Sequence, residues 1–224
     1  MITHHPDVNM LVEYTNGSLP WALSLAVKAH IQLCPHCRQH AAQMNVLGGI
    51  QLADTTEEAV TEESFERLIA RIQNASPQQI SAAAPTTVSA TSALFCRSPL
   101  PAIIEKLLPD KLRWKKISGA LSMSRLTTGQ KEFEVAFHKI MKGGKVVEHD
   151  HNGLEVTLVL DGSFSDENGI YQRGDFLVRE PGHIHRPTAA VNQDCLCLSI
   201  SAAPVKITGM LGNFINPFLS IKPA

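Results

Sequence analysis

The sequence predicts a multidomain α + β protein, a helical N-terminal domain followed by an all-β barrel or sandwich. Three observations predict it. Apolar residues recur at helical spacing through residues 1–75. From residue 94 to about 208 the pattern changes to short alternating or β-branched runs separated by Gly, Asn and Asp. Between them, ASPQQISAAAPTTVSATSA has no charge, two prolines and many small residues, which reads as a linker over residues 76–93.

The elements follow in order. DVNMLVEY places Val8, Leu11 and Val12 at helical spacing, and Asn16-Gly17 closes that helix. Pro20 suits the first position of a second helix, whose stripe is Leu23, Val27, His30 and Ile31. Pro35 interrupts it, because an interior proline removes a hydrogen bond and clashes with the preceding turn. The same proline can open a third helix, expected to run to about Leu47 and stop at Gly48-Gly49. Thr55-x2-Glu58 forms a capping box for a fourth, with Phe65, Leu68, Ile69 and Ile72 as its apolar face. FEVAFHKI, LEVTLVLDGSF, GDFLVRE and DCLCLSI are the strand candidates. The apolar tail, residues 209–224, is expected to pack on the barrel or on a partner.

Composition narrows the class. Hydrophobic residues make up 44% and aromatics 5%, as in an ordinary soluble protein. No apolar run approaches the roughly 20 residues that span a bilayer, and the N-terminus lacks the pattern of a secretory signal. A cytoplasmic location is the expectation. The five unevenly placed cysteines suit a reducing compartment better than a disulfide framework. Residues 1–75 carry four basic and eight acidic side chains, a balance of 4 − 8 = −4. That sign disfavours nucleic acid, whose phosphates demand cations. It fits a basic protein partner, or simply a solvated acidic face.

Two constellations carry the chemistry. His30-x3-Cys34-x2-Cys37 joins two soft ligands to an imidazole across a helix junction, a layout for tetrahedral zinc. A redox CxxC would sit in a βαβ context, which this region lacks. A structural zinc wants a fourth ligand, and His4, His5, His36 and His40 all compete by spacing. Further on, Gly143-x5-His149-x-His151-x3-Glu155-x6-Gly162 places three candidate ligands at odd positions, one face of a regular strand. His183 or His185 can complete that site. His138 reads as structural, and Cys195 and Cys197 as small core residues.

The Gly143 to Gly162 string resembles the first motif of the cupin superfamily, the double-stranded β-helix barrel. The second cupin motif is met in part by Gly174, Pro181, Gly182 and His185. His30-x3-Cys34-x2-Cys37 resembles the zinc-binding anti-sigma motif. Together they resemble the ChrR family of anti-sigma factors over nearly the whole chain, including EHDHNGLEVTLVLDGSF and DCLCLSI. The resemblance implies a helical zinc domain that sequesters a sigma factor of the extracytoplasmic-function type and blocks its binding to RNA polymerase. It implies release through the cupin domain under oxidative stress of the singlet-oxygen type. It also implies His5, His30, Cys34 and Cys37 as ligands of the first zinc, and His149, His151, Glu155 and His185 as ligands of a second metal ion, also zinc.

Two other classes compete. A cupin dioxygenase or isomerase would use the open coordination positions of three histidines and a glutamate, yet the sequence lacks an evident substrate-binding cluster of Arg or Lys. A zinc-finger DNA binder conflicts with the acidic N-terminal balance.

Overall fold

The computed structural model describes residues 1–55, 61–74, 96–208, 212 and 216–221. The expected linker, Glu58 of the expected capping box and most of the tail lie outside the described residues.

Asp7 opens α1 (Val8–Asn16) by accepting the Met10 N–H at 2.8 Å. Gly17, at φ 74°, closes it. Helix α2 (Trp21–Leu33) follows Pro20 and buries eight of its thirteen residues. Three of these are Ala22, Ala26 and Ala29, whose small side chains let neighbours approach on several sides. Helix α3 (Pro35–Ala53) starts at Pro35, as the sequence indicates, but runs past Gly48-Gly49. Neither glycine takes the left-handed conformation that would end the helix. Two helical glycines cost roughly 1 kcal/mol each against alanine, and the strong helix formers around them keep the ladder intact. Helix α4 (Glu62–Asn74) starts later than the expected box, and Thr61 caps it through the Ser64 N–H. A short α5 (Ala102–Leu107), which the sequence reading did not include, buries Ile104.

Eleven strands among the described residues form three sheets. The largest has the order β1-β2-β3-β10-β5-β8, with β1 Lys115–Lys116, β2 Leu121–Arg125, β3 Glu134–Ile140, β10 Cys195–Ser201, β5 Glu155–Asp161 and β8 Phe176–Arg179. A three-stranded sheet joins β7 (Gly169–Gln172), β6 (Ser163–Asp166) and β9 (Thr188–Ala189). β4 (His149–His151) pairs with β11 (Val205–Ile207).

The pleat sorts each central strand onto two layers. Val135, Phe137, Val156, Leu158, Leu196, Leu198 and Ile200 face outward into one apolar core shared with α1, α2, α3 and α5. Ile140, Val159, Cys195 and Cys197 face inward, against Phe164, Tyr171, Leu177 and Ala189. Both faces of β5 and β10 are therefore buried, which is why DCLCLSI is apolar at odd and even positions alike.

The tail does pack on the barrel where it is described. The Asn216 side chain accepts from the Ile207 N–H at 2.7 Å and donates to the Ile207 carbonyl at 2.9 Å.

Candidate metal centres

The first centre forms where α2 ends and α3 begins. Cys34 is the junction residue, and its Sγ accepts the Cys37 N–H at 3.5 Å. His30 lies in the last turn of α2. The N-terminal segment brings His5 to them. Its Nδ1 lies 3.4 Å from His30 Nε2, 3.5 Å from Cys34 Sγ and 3.3 Å from Cys37 Sγ. One ligand atom from each of the four residues falls within 4.8 Å of all the others, a group that could hold a metal ion. His4 is not part of it: its ring packs on Tyr171 and its Nδ1 meets the Thr3 hydroxyl. His36 and His40 stay on the outer side of α3.

The barrel holds this centre in place. His30 Nδ1 is 2.8 Å from the Gly174 carbonyl, which can only accept, so Nδ1 carries the proton and Nε2 presents its lone pair to the cluster. Gly174 has φ 95°, and any side chain there would collide with Ile2. The next residue, Asp175, is fully buried. Its carboxylate accepts the N–H groups of Thr3 at 2.7 Å, His4 at 3.0 Å and Gln172 at 2.8 Å. Burial brings the His30 pKa down to about 4 and pushes the Cys37 thiol up to about 12. Both shifts favour neutral groups, and a bound cation is what would make a thiolate stable in such a place.

The second centre lies inside the barrel. His149 and His151 are on β4, and His185 is bridged to His149 by reciprocal backbone hydrogen bonds of 3.1 and 3.0 Å. All three imidazoles are buried. Each has its Nδ1 against an acceptor: the Val147 carbonyl at 2.8 Å for His149, Glu155 at 3.3 Å for His151, Asp166 at 3.0 Å for His185. Each Nδ1 therefore carries the proton, and three Nε2 lone pairs converge. His185 Nε2 is 3.1 Å from His149 Nε2 and 3.2 Å from His151 Nε2. Two lone pairs at that separation repel unless a proton or a cation lies between them. Ligand atoms about 3.3 Å apart are what tetrahedral bonds of about 2.0 Å to zinc require.

Glu155 borders this group without joining the three converging atoms. It starts β5, in a different sheet from β4, and accepts the hydroxyls of Thr157 and Ser199 at 3.2 and 3.1 Å. Burial opposes its ionisation, but the His151 hydrogen bond and the nearby imidazoles bring its pKa down to about 2. His183 is exposed and outside the group. A cavity of about 440 Å³ opens from the centre, with mostly apolar walls including Leu121, Ile140, Val146, Phe164 and Ile207, and Leu219 of the tail. His138 lines it, so this residue, read as structural from sequence, faces the centre. Cys195 and Cys197 point into the same interior, their sulfurs 3.7 Å apart.

Two residues that matter to these centres, Asp166 and Asp175, were not singled out from sequence, and Gly174 was read only as part of the second cupin motif, not as the carbonyl acceptor that orients His30. Their contribution is a hydrogen bond to a ligand or its segment, which leaves no spacing signature.

The ChrR cupin-like domain model matches residues 106–203. The anti-sigma-E factor ChrR of Cereibacter sphaeroides is 32% identical over 221 residues, which is 98% of this chain and 99% of that protein. The chain belongs to the ChrR family of anti-sigma factors. The crystal structure of Rhodobacter sphaeroides SigE in complex with the anti-sigma ChrR contains a similar chain, with a TM-score of 0.68 and 29% identity, covering 90% of this chain and 99% of that one. ChrR membership confirms the helical and cupin parts and makes this chain a transcriptional regulator, not a cupin dioxygenase or isomerase. Among the described residues, no helix is long and apolar enough to cross a membrane.

Proposed function

We propose that the chain sequesters a sigma factor of the extracytoplasmic-function type in the cytoplasm and keeps it from RNA polymerase. Residues 1–75 form the clasp, residues 94–208 the cupin sensor, and residues 76–93 the linker between them. Zinc held by His5, His30, Cys34 and Cys37 staples the N-terminal segment, α2 and α3. A second zinc in the barrel, on His149, His151 and His185 with Glu155 beside or among them, belongs to the release step under oxidative stress of the singlet-oxygen type. Zinc is redox-inert. Its contribution in both places is to hold side chains together, and at the first it also keeps the thiols of Cys34 and Cys37 ionised.

The observation that carries the reading is the apolar surface that α3 and α4 leave uncovered among the described residues. Helix α4 has no buried residue, and Phe65, Leu68 and Ile72 are 52%, 52% and 61% exposed on one face. On α3, Val46, Leu47, Ile50 and Leu52 are exposed by 61–74%. Exposed apolar residues clustered along successive helices mark a protein interaction site, and the acidic balance of the region suits a basic partner.

The test is a pull-down of the cognate sigma factor by the full chain. Replacing Phe65 and Leu68 by Asp is expected to abolish capture while both metal equivalents stay bound. Undiminished capture by that variant would sink the proposed clasp.

A further inference from the structure

The spacing of the N-terminal cysteines leaves two histidines without a role. His36 and His40 occupy positions i and i+4 of α3, so their side chains share one face of the helix. Their ring centroids are 4.3 Å apart, closer than the 4.6 to 5.2 Å between imidazoles of the barrel centre. Cys37, between them in sequence, turns inward to the buried cluster. His36 is exposed and His40 half-buried. Among the described residues, neither is engaged by a hydrogen bond or an ion pair. A histidine pair at this helical spacing is a chelate for zinc, and imidazole suits nickel and copper as well.

A second observation ties the pair to the buried cluster. Three members of that cluster are closed to solvent, with Cys34 and Cys37 2% exposed and His30 0%. His5 is the half-exposed member. The His36 ring lies 5.5 Å from the His5 ring, at the open side of the cluster.

We propose that His36 and His40 form a third, exchangeable site for a divalent transition-metal ion, through which metal enters and leaves the buried cluster. The inference rests on reading that cluster as a metal centre. Two imidazoles hold an ion less firmly than two thiolates with two imidazoles, so the ion passes inward by ligand exchange past His5. Its oxidation state does not change, and the thiol protons leave to solvent as the sulfurs bind.

The experiment titrates zinc into the purified full-length chain and counts bound metal by equilibrium dialysis and elemental analysis. The expected result is two tightly held equivalents and a third, weaker one that is absent from the His36→Gln/His40→Gln variant. No third equivalent in the unaltered chain, or a third that survives in the variant, overturns the site. Loss of a tight equivalent in the variant also overturns it, because the pair would then belong to the buried cluster. In the same two proteins, replacement of bound zinc by added cadmium is followed through the ultraviolet absorption of cadmium thiolate. Slower exchange in the variant is expected, and equal rates overturn the entry role. If both proteins hold fewer than two tight equivalents, the reading of the buried centres fails, while the weak equivalent still reports on His36 and His40.

Discussion

The two centres are built from similar ligands and differ in what surrounds them. The first joins two thiols to two imidazoles at a seam between α2, α3, the N-terminal segment and the β7–β8 turn. It offers four ligand atoms and closes on itself, as structural zinc sites do. The second gathers three imidazoles inside one domain and opens onto a cavity of about 440 Å³. Its fourth side is where a glutamate, a solvent molecule or a ligand can approach, the arrangement of a responsive site. Closure suits holding helices for a partner; openness suits sensing. In the function proposed for this chain, those tasks are divided between the two.

That division can be broken by deleting each centre in turn. Replacing Cys34 and Cys37 together by Ser removes both soft ligands and the staple between α2 and α3. Loss of one metal equivalent and of sigma-factor capture is expected, by elemental analysis and pull-down. Replacing His149 and His185 together by Ala is expected to remove the other equivalent and leave capture intact, while release by an oxidant is lost. If the cysteine variant still captures the sigma factor without metal, the first centre is not the staple. If the histidine variant loses capture, the division of tasks is wrong.

The centres also differ in how far the sequence disclosed them. His30, Cys34 and Cys37 lie within eight residues, so spacing alone shows them. His5 is 25 residues from His30 and is delivered by a segment with no regular structure, so spacing left four histidines in competition. Its choice came from family resemblance. The HxH of β4 was equally local. The choice of His185 over His183 depends on the bridge between residues 149 and 185, a tertiary contact. Glu155 shares the parity of the histidines but starts another strand, because residues 152–154 break the run. The strands were legible because β5 and β10, buried on both faces, read as short continuous apolar runs bounded by turn residues. The end of α3 was not, since two glycines signal a stop only when one of them turns left-handed.

A sharper comparison comes from the carboxylate behind each centre. Asp166 accepts from His185 Nδ1, the Tyr171 hydroxyl and Arg179. Asp175 anchors the segment that carries His5. Partners of this kind typically change metal affinity by about 10–100-fold when lost. Asp166→Asn is expected to weaken the second centre by that order and spare the first. Asp175→Asn is expected to weaken the first, spare the second, and cost about 1–3 kcal/mol of stability for the N–H groups it strands. Competition with a chromophoric chelator measures both affinities. Tyr171 touches both regions, through Asp166 and through the His4 ring 4.9 Å away. Loosening of the first centre by Asp166→Asn would therefore show that the two are coupled rather than independent.

The smallest expected effect separates the centres by pH, with a chelator present so that only protons compete. His30 in the first and His185 in the second both have pKa values brought down by burial to about 4 from 6.5. Below pH 6.5 the unfolded chain takes up these protons while the native chain does not, so stability falls as pH drops from 6.5 to about 4. Both centres contribute to that window, which cannot distinguish them. Glu155 belongs to the second centre alone. Its pKa is lowered from 4.5 to about 2, so it contributes stability that is complete above pH 4.5 and lost as pH falls toward 2. Glu155→Gln is expected to flatten the dependence of the melting temperature on pH between 4.5 and 2. The slope between 6.5 and 4 should remain. An unchanged slope below pH 4.5 would mean that the imidazoles around Glu155 do not hold it ionised, and that His151 is oriented by something else.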